Sequence, residues 1–131
     1  MLAFALDSKS GVPTYLQLQL QVKHAMRIGV LGSGDQLPTA REVVESLGIN
    51  PNTVLKAYRE LERDGLVEVR QGQGTFVIVE LLTVAPADLA KLRRRLNRWL
   101  EEASALGLDI DDVTELFNGE VAATLRREAT A

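Results

Sequence analysis

The sequence predicts a mainly α-helical protein with one small β-hairpin: three short helices closed by the hairpin, then two longer helices that form a hairpin of their own. Three observations carry this reading. Two helix-start signals, at Thr39 and Asn50, stand on either side of Gly48; two β-rich segments flank Gln71-Gly72-Gln73-Gly74; and beyond Thr83 the apolar residues fall at alternating steps of three and four.

The first helix follows Pro13. From Tyr15 to Leu31, Leu16, Leu20, Val22, Met26, Ile28, Val30 and Leu31 are interleaved with Gln17, Gln19, Gln21, Lys23 and Arg27, until Gly29, Gly32 and Gly34 end the helix. Leu16 to Leu20 also alternates as a strand does. Thr39-Ala40-Arg41-Glu42 then reads as a capping box, in which the Thr39 hydroxyl receives the third helical amide and Glu42 reaches back. Ala40, Val43, Val44 and Leu47 make one apolar face, Gly48 suits the left-handed residue that stops a helix, and Ile49 plugs the turn.

The third helix starts with Asn50 as N-cap and Pro51 in the first turn, where a missing amide costs nothing. At about 100° per residue, Val54, Ala57, Tyr58 and Leu61 share one side while Asn52, Lys56, Arg59 and Arg63 share the other. Gly65 closes it, and the strands are expected over 66–70 and 75–79. Helix, helix, short turn, helix and hairpin is the order of a winged helix-turn-helix, placed at residues 7–80 of a domain spanning 1–82.

Residues 83–131 are expected to be a helical dimerisation tail. Pro86 opens a helix whose Leu89, Leu92, Leu96, Trp99, Ala103 and Leu106 form a heptad seam. Gly107 ends it, and Asp109 caps a last helix with Ile110, Val113, Leu116, Phe117, Val121 and Leu125 on its apolar side. Such a pair is too small to fold alone. A homodimer through the seam and Phe117 is preferred over packing on the chain's own winged domain, because an exposed Trp and Leu seam on so short a hairpin needs a partner.

The bulk properties exclude much. The 131 residues contain no cysteine and a single histidine, His24, so disulfides, thiol chemistry and His- or Cys-ligated metal sites have almost no raw material. No cofactor or metal is expected. No apolar run is long enough to span a membrane, and Met1 to Leu6 lacks the charged start of a signal peptide, so a cytoplasmic protein is expected. Ser33 and Ser46 have no histidine-based apparatus, so there are no catalytic candidates. Gly72-Gln73-Gly74 lies between strands and lacks the third glycine of a dinucleotide fingerprint.

A helix-turn-helix places the start of its second helix in the major groove. Here that start offers Asn50, Asn52, Thr53 and Lys56. Asn pairs bidentately with adenine, Thr donates to a base or touches a thymine methyl, and Lys favours guanine or phosphate. Arg41 adds a planar fork for phosphate or a base edge. At the wing, Gly72 and Gly74 let the backbone approach a groove, with Gln73 and Arg70 as the reaching groups. Arg59 and Arg63 suit the DNA backbone or a solvated face.

The net charge of -3 opposes this, since phosphate binding wants a basic surface. Through Ala85 there are eight Lys and Arg against nine Asp and Glu, so a DNA face must come from local distribution. The alternative is a winged-helix protein-interaction module that binds no DNA. No effector is identified: a tail that spends its apolar face on dimerisation leaves little for a ligand pocket.

The chain resembles the GntR family of bacterial regulators, in its YtrA-type subfamily. The residues that carry this are Pro13-Thr14-Tyr15 with Gln17, the run Gly34 to Glu42, Ile49 to Val54, Lys56-Ala57-Tyr58, Glu60-Leu61-Glu62, Asp64-Gly65-Leu66 and Gly72 to Val77. They cover most of residues 11–80; the tail matches by length and helicity only. The resemblance implies a homodimeric repressor on a pseudo-palindromic operator of double-stranded DNA, often that of its own operon, with an ABC-type transporter among the genes. It also implies DNA contacts at Arg41, Asn50, Asn52, Thr53 and Gly72 to Gly74. Many relatives carry Arg where this chain has Pro51, which shifts the expected readout onto Asn52 and Lys56.

Overall fold

The computed structural model describes residues 2–130. In order they form α1 (Thr14–Arg27), α2 (Ala40–Leu47), α3 (Pro51–Arg63), β1 (Val67–Arg70), β2 (Gly74–Val77), α4 (Pro86–Ala105) and α5 (Ile110–Thr130). The chain divides into two compact units, Met1–Pro86 and Ala87–Ala131.

In the first unit α3 is the hub, packing against α1, α2 and β1. Its buried face is Val54, Ala57, Tyr58 and Leu61, the four that the helical period puts on one side. Around them close Leu18, Val22 and Met26 of α1, Val43 of α2, Val67 and Val77 of the hairpin, and Leu31 and Leu37 from the connecting loop. Leu31 reaches this core because α1 stops at Arg27: the amides of Val30 and Leu31 both turn back to the Ala25 carbonyl, at 2.8 and 3.1 Å.

Polar groups inside this core are matched. Gln19 of α1 is buried and donates to the Glu60 carboxylate at 2.5 Å and to the Ala57 carbonyl at 3.4 Å, tying α1 to α3. The Tyr58 hydroxyl donates to the Pro38 carbonyl at 2.6 Å, which fixes the entry to α2 against α3. Burial, with the Glu42 carboxylate adding to it, pushes that hydroxyl well above the usual phenol range.

Strands β1 and β2 pair antiparallel, Val67 with Val77 and Arg70 with Gly74. Beside β2 the loop before α2 adds a short third edge. The Gly34 amide donates to the Val77 carbonyl (2.7 Å), the Val77 amide to Asp35 (2.9 Å) and the Leu37 amide to Thr75 (2.8 Å). The strands start and end a residue or two from the expected spans because β2 pairs from Gly74 and leaves the ladder at Ile78, whose amide turns to the Leu66 carbonyl.

The N-terminal segment is a feature that periodicity did not reveal. Leu2, Phe4 and Leu6 pack against the core while Ala3 and Ala5 face out, a strand-like alternation. Side chains hold it where a neighbouring strand would: Gln21 accepts from the Ala5 amide (2.9 Å) and donates to its carbonyl (2.6 Å), and Gln17 accepts from the Asp7 amide (2.9 Å).

In the second unit α4 and α5 are joined through Gly107. The Leu108 amide returns to the Ala103 carbonyl at 3.1 Å, which closes α4. Asp109 and Asp112 then cap α5 reciprocally, each carboxylate accepting the other's amide at 2.9 Å. Ala103 is buried, but Leu92, Leu96, Trp99, Leu106 and Phe117 are exposed in the single chain.

Tyr58→Phe should cost about 1 kcal/mol in urea unfolding at neutral pH, because the Pro38 carbonyl loses its donor. The folded-state shift of Tyr58 is upward, so its contribution is intact below the pH at which a free phenol ionises, about 10, and is lost above it. The wild-type protein should therefore lose stability above that pH more steeply than the Phe variant.

Candidate nucleic-acid interface

The turn between α2 and α3 is built to present the start of α3. Thr39 Oγ1 accepts the Glu42 amide at 3.1 Å, and its hydroxyl donates to the Glu42 carboxylate at 3.2 Å, so Glu42 reaches the Thr39 hydroxyl. Gly48 sits at φ 67°, a left-handed conformation that side chains resist, and its amide closes α2 on the Val44 carbonyl. Asn50 Oδ1 accepts the Asn52 amide at 2.8 Å and Pro51 follows inside the helix. The turn between the helices thus takes three residues, 48–50, and the first turn of α3 emerges with Asn52 exposed.

The residues expected to meet DNA fall into three groups. Asn52, Arg41 and Gln73 are exposed with reach to spare. The Asn52 carboxamide has no hydrogen-bond partner among the described residues. The Arg41 side chain is 88% accessible and holds only Glu45, one turn on, at 3.1 Å. Lys56 and Arg70 are exposed but pre-positioned: Lys56 Nζ lies 4.0 Å above the Tyr15 ring, and Arg70 lies over the Phe76 ring at 4.3 Å with its Nε on Glu68 at 2.6 Å. These partners hold each long chain in one direction while leaving other donors open.

The third group has work inside the fold. Asn50 spends its side-chain oxygen on the helix cap, and Thr53 is half-buried. Gly74 is half-buried at φ 130°, and a Cβ there would collide with the Gln36 carboxamide, which donates to the Gln73 carbonyl at 3.1 Å. Gly72 occupies the exposed tip, closed by the Gln73 amide on the Arg70 carbonyl at 2.9 Å. Arg59 and Arg63 are exposed farther along α3.

One residue of this surface escaped the sequence reading. Leu55 is 41% exposed, three residues after Asn52, between the buried and polar faces of α3. The helical period could have found it, since it lies about 60° from Asn52. It belongs to neither of the two faces that the sequence pattern groups. Glu62, also on α3, accepts the Val69 amide at 2.8 Å and so fixes the hairpin to the helix.

In the second unit, Trp99 is 38%, Phe117 59% and Leu106 82% exposed, and Leu92 and Leu96 are exposed as well. Leu89 is half-buried and Ala103 is buried, so these two offer the least to a second molecule.

A helix-turn-helix with an outward polar first turn on its second helix, flanked by a glycine-tipped hairpin, defines a DNA-binding regulator of the winged-helix class. Comparison with known proteins makes this specific. Residues 14–77 match the family described as bacterial regulatory proteins, gntR family. The HTH-type transcriptional repressor YtrA of Bacillus subtilis is 32% identical over 111 residues, covering 84% of this chain and 85% of the relative. Among solved structures, YtrA from Sulfolobus acidocaldarius, a GntR-family transcription factor, superposes with a TM-score of 0.52 at 28% identity, over 92% of this chain and 97% of the other. The DNA-binding domain of AraR in complex with operator ORX1 matches with a TM-score of 0.51 at 26% identity, over 58% of this chain and 95% of the other. The chain belongs to the GntR family of bacterial transcription regulators, in its YtrA type. It is a transcription regulator with a DNA-binding domain and not an enzyme.

Gly74→Ala should cost about 1 to 3 kcal/mol in thermal or urea unfolding, from the positive φ and the collision with Gln36 together. Adding Gln36→Ala should recover the collision part and leave the backbone part, so the double variant should lie between Gly74→Ala and the Gln36→Ala parent.

Proposed function

We propose that the protein is a repressor that binds a pseudo-palindromic operator as a homodimer, reading bases with the first turns of α3. The observation that carries this is the Asn52 carboxamide: exposed at the start of α3, with no partner among the described residues, on a helix whose opposite face is locked into the core. An Asn so placed matches the N6 and N7 edge of adenine. Leu55 beside it supplies an apolar contact of the kind a thymine methyl takes. Lys56, Arg41 and the wing with Gln73 and Arg70 serve phosphates or neighbouring base edges, and Thr53 and Asn50 position the helix.

Support for DNA as the partner comes from the AraR DNA-binding domain, which shares this fold and is bound to an operator. Support for repression comes from the similarity to the Bacillus subtilis repressor. The resemblance to YtrA-type regulators extends the proposal to the protein's own operon, with an ABC-type transporter among its genes, and to action in the cytoplasm. Among the described residues no helix is long and apolar enough to cross a membrane.

A mobility-shift titration against DNA from its own promoter tests the reading, and absence of binding at low ionic strength would reject it. Asn52→Ala should weaken operator binding by about 1 to 3 kcal/mol and leave binding to unrelated DNA nearly unchanged. Leu55→Ala should weaken binding to operator DNA but matter far less on the same DNA with deoxyuridine in place of thymidine, which lacks only the methyl groups. Equal loss on both DNAs would remove Leu55 from base reading.

The dimer uses the tail. Leu92, Leu96, Trp99 and Phe117 form the apolar surface that a second copy covers, and two winged domains then address two half-sites. Trp99→Asp should yield a monomer in sedimentation at micromolar concentration and should weaken operator binding at least about tenfold, since one head must then bind without the other.

A further inference from the structure

The charge of the tail is segregated along the chain. Between Ala87 and Leu100 five cations, Lys91, Arg93, Arg94, Arg95 and Arg98, stand against Asp88 alone. From Glu101 to Leu125 there are seven carboxylates and no Lys or Arg. The five cations are exposed, as are Glu101 and Glu102, and among the described residues none of these seven has an ion-pair partner. Several of the cations stand three or four positions apart on one helix, where like charges repel. The first half of α4 therefore favours a neighbour of opposite sign.

We infer that the two copies pair their α4 helices antiparallel, so that the cationic half of one lies along the acidic end of the other. This rests on the homodimer proposed above and adds its orientation. Written as heptads, the seam has Leu89, Leu96 and Ala103 at one core position and Leu92, Trp99 and Leu106 at the other. Arg95 and Glu102 then occupy successive places on the same flank of that seam. In an antiparallel pair the two kinds of core position face each other, so Leu96 packs against the partner subunit's Trp99. Arg95 falls beside the partner subunit's Glu102, and the two-fold axis makes the same pair a second time.

The parallel arrangement lacks this match. It sets Trp99 against its own copy, turns Arg95 toward the partner subunit's Leu100, and runs the two cationic stretches side by side. Exposed ion pairs are individually weak, so the apolar seam holds the dimer and the charges decide which way it closes.

The test is a charge swap in the full chain, followed by sedimentation equilibrium at low salt, with far-UV circular dichroism to check that the helices persist. Arg95→Glu should weaken dimerisation about tenfold, since it opposes like charges at two symmetric positions, and Glu102→Arg should do the same. The combined variant, with both pairs reversed, should return to within about threefold of wild type. Raising the salt should weaken the wild-type dimer, because the screened interaction is attractive. A combined variant no tighter than the single ones, or a wild-type dimer that tightens with salt, overturns the antiparallel arrangement while leaving the dimer. A wild-type chain that is monomeric at every concentration overturns the dimer itself.

Discussion

Everything in the first unit depends on burying one side of α3 while the other side stays in water. Val54, Ala57, Tyr58 and Leu61 are almost fully enclosed, and they are enclosed by four different pieces of chain. Each fully buried aliphatic side chain of this kind contributes about 1.5 to 3 kcal/mol, which makes the orientation of α3 about its own axis the best-determined feature of the unit. That orientation selects which residues face outward. Asn52 is presented because Val54 is buried two residues later.

Polar links then convert a packed helix into a positioned one. Gln19 bonds α1 to α3, Tyr58 bonds α3 to the approach of α2, and Glu62 bonds α3 to β1. Gln36 bonds the loop before α2 to the wing. Each has one end on α3 or on the wing, so the groups proposed to face the groove share one rigid support, as a site that must hold its geometry requires. The net charge of the chain matters little to such a site, because the cations near α3 and the wing are placed individually: Lys56 over Tyr15, Arg70 over Phe76, Arg41 beside Glu45.

Most of the first unit was legible in the sequence because its signals are local. The capping box at Thr39, the left-handed Gly48, the Asn50 cap and the two faces of α3 each depend on residues within a turn or two of one another, and all appear where the pattern puts them. What was not legible depends on contacts distant in sequence. Leu2, Phe4 and Leu6 join the core from a segment that Gln17 and Gln21 of α1 hold by the backbone of Asp7 and Ala5. Gly74 has a second requirement that the sequence does not show, since Gln36 fills the space beside it. Leu55 was within reach of the helical period, about 60° from Asn52, but an apolar side chain there gives no local sign of exposure. In the tail, the two helices and the cap at Asp109 were readable, while the burial of Ala103 follows from the turn that returns Leu108 to it.

On the proposed function, the first turns of α3, backed by the wing, are the surface that meets DNA. Amide chemical-shift mapping during titration with operator DNA addresses it directly. The largest changes are expected at Asn52, Leu55, Lys56 and the wing tip around Gln73, with the core side of α3 and the seam of α4 little affected. Changes concentrated elsewhere, with α3 unmoved at saturating DNA, would contradict it.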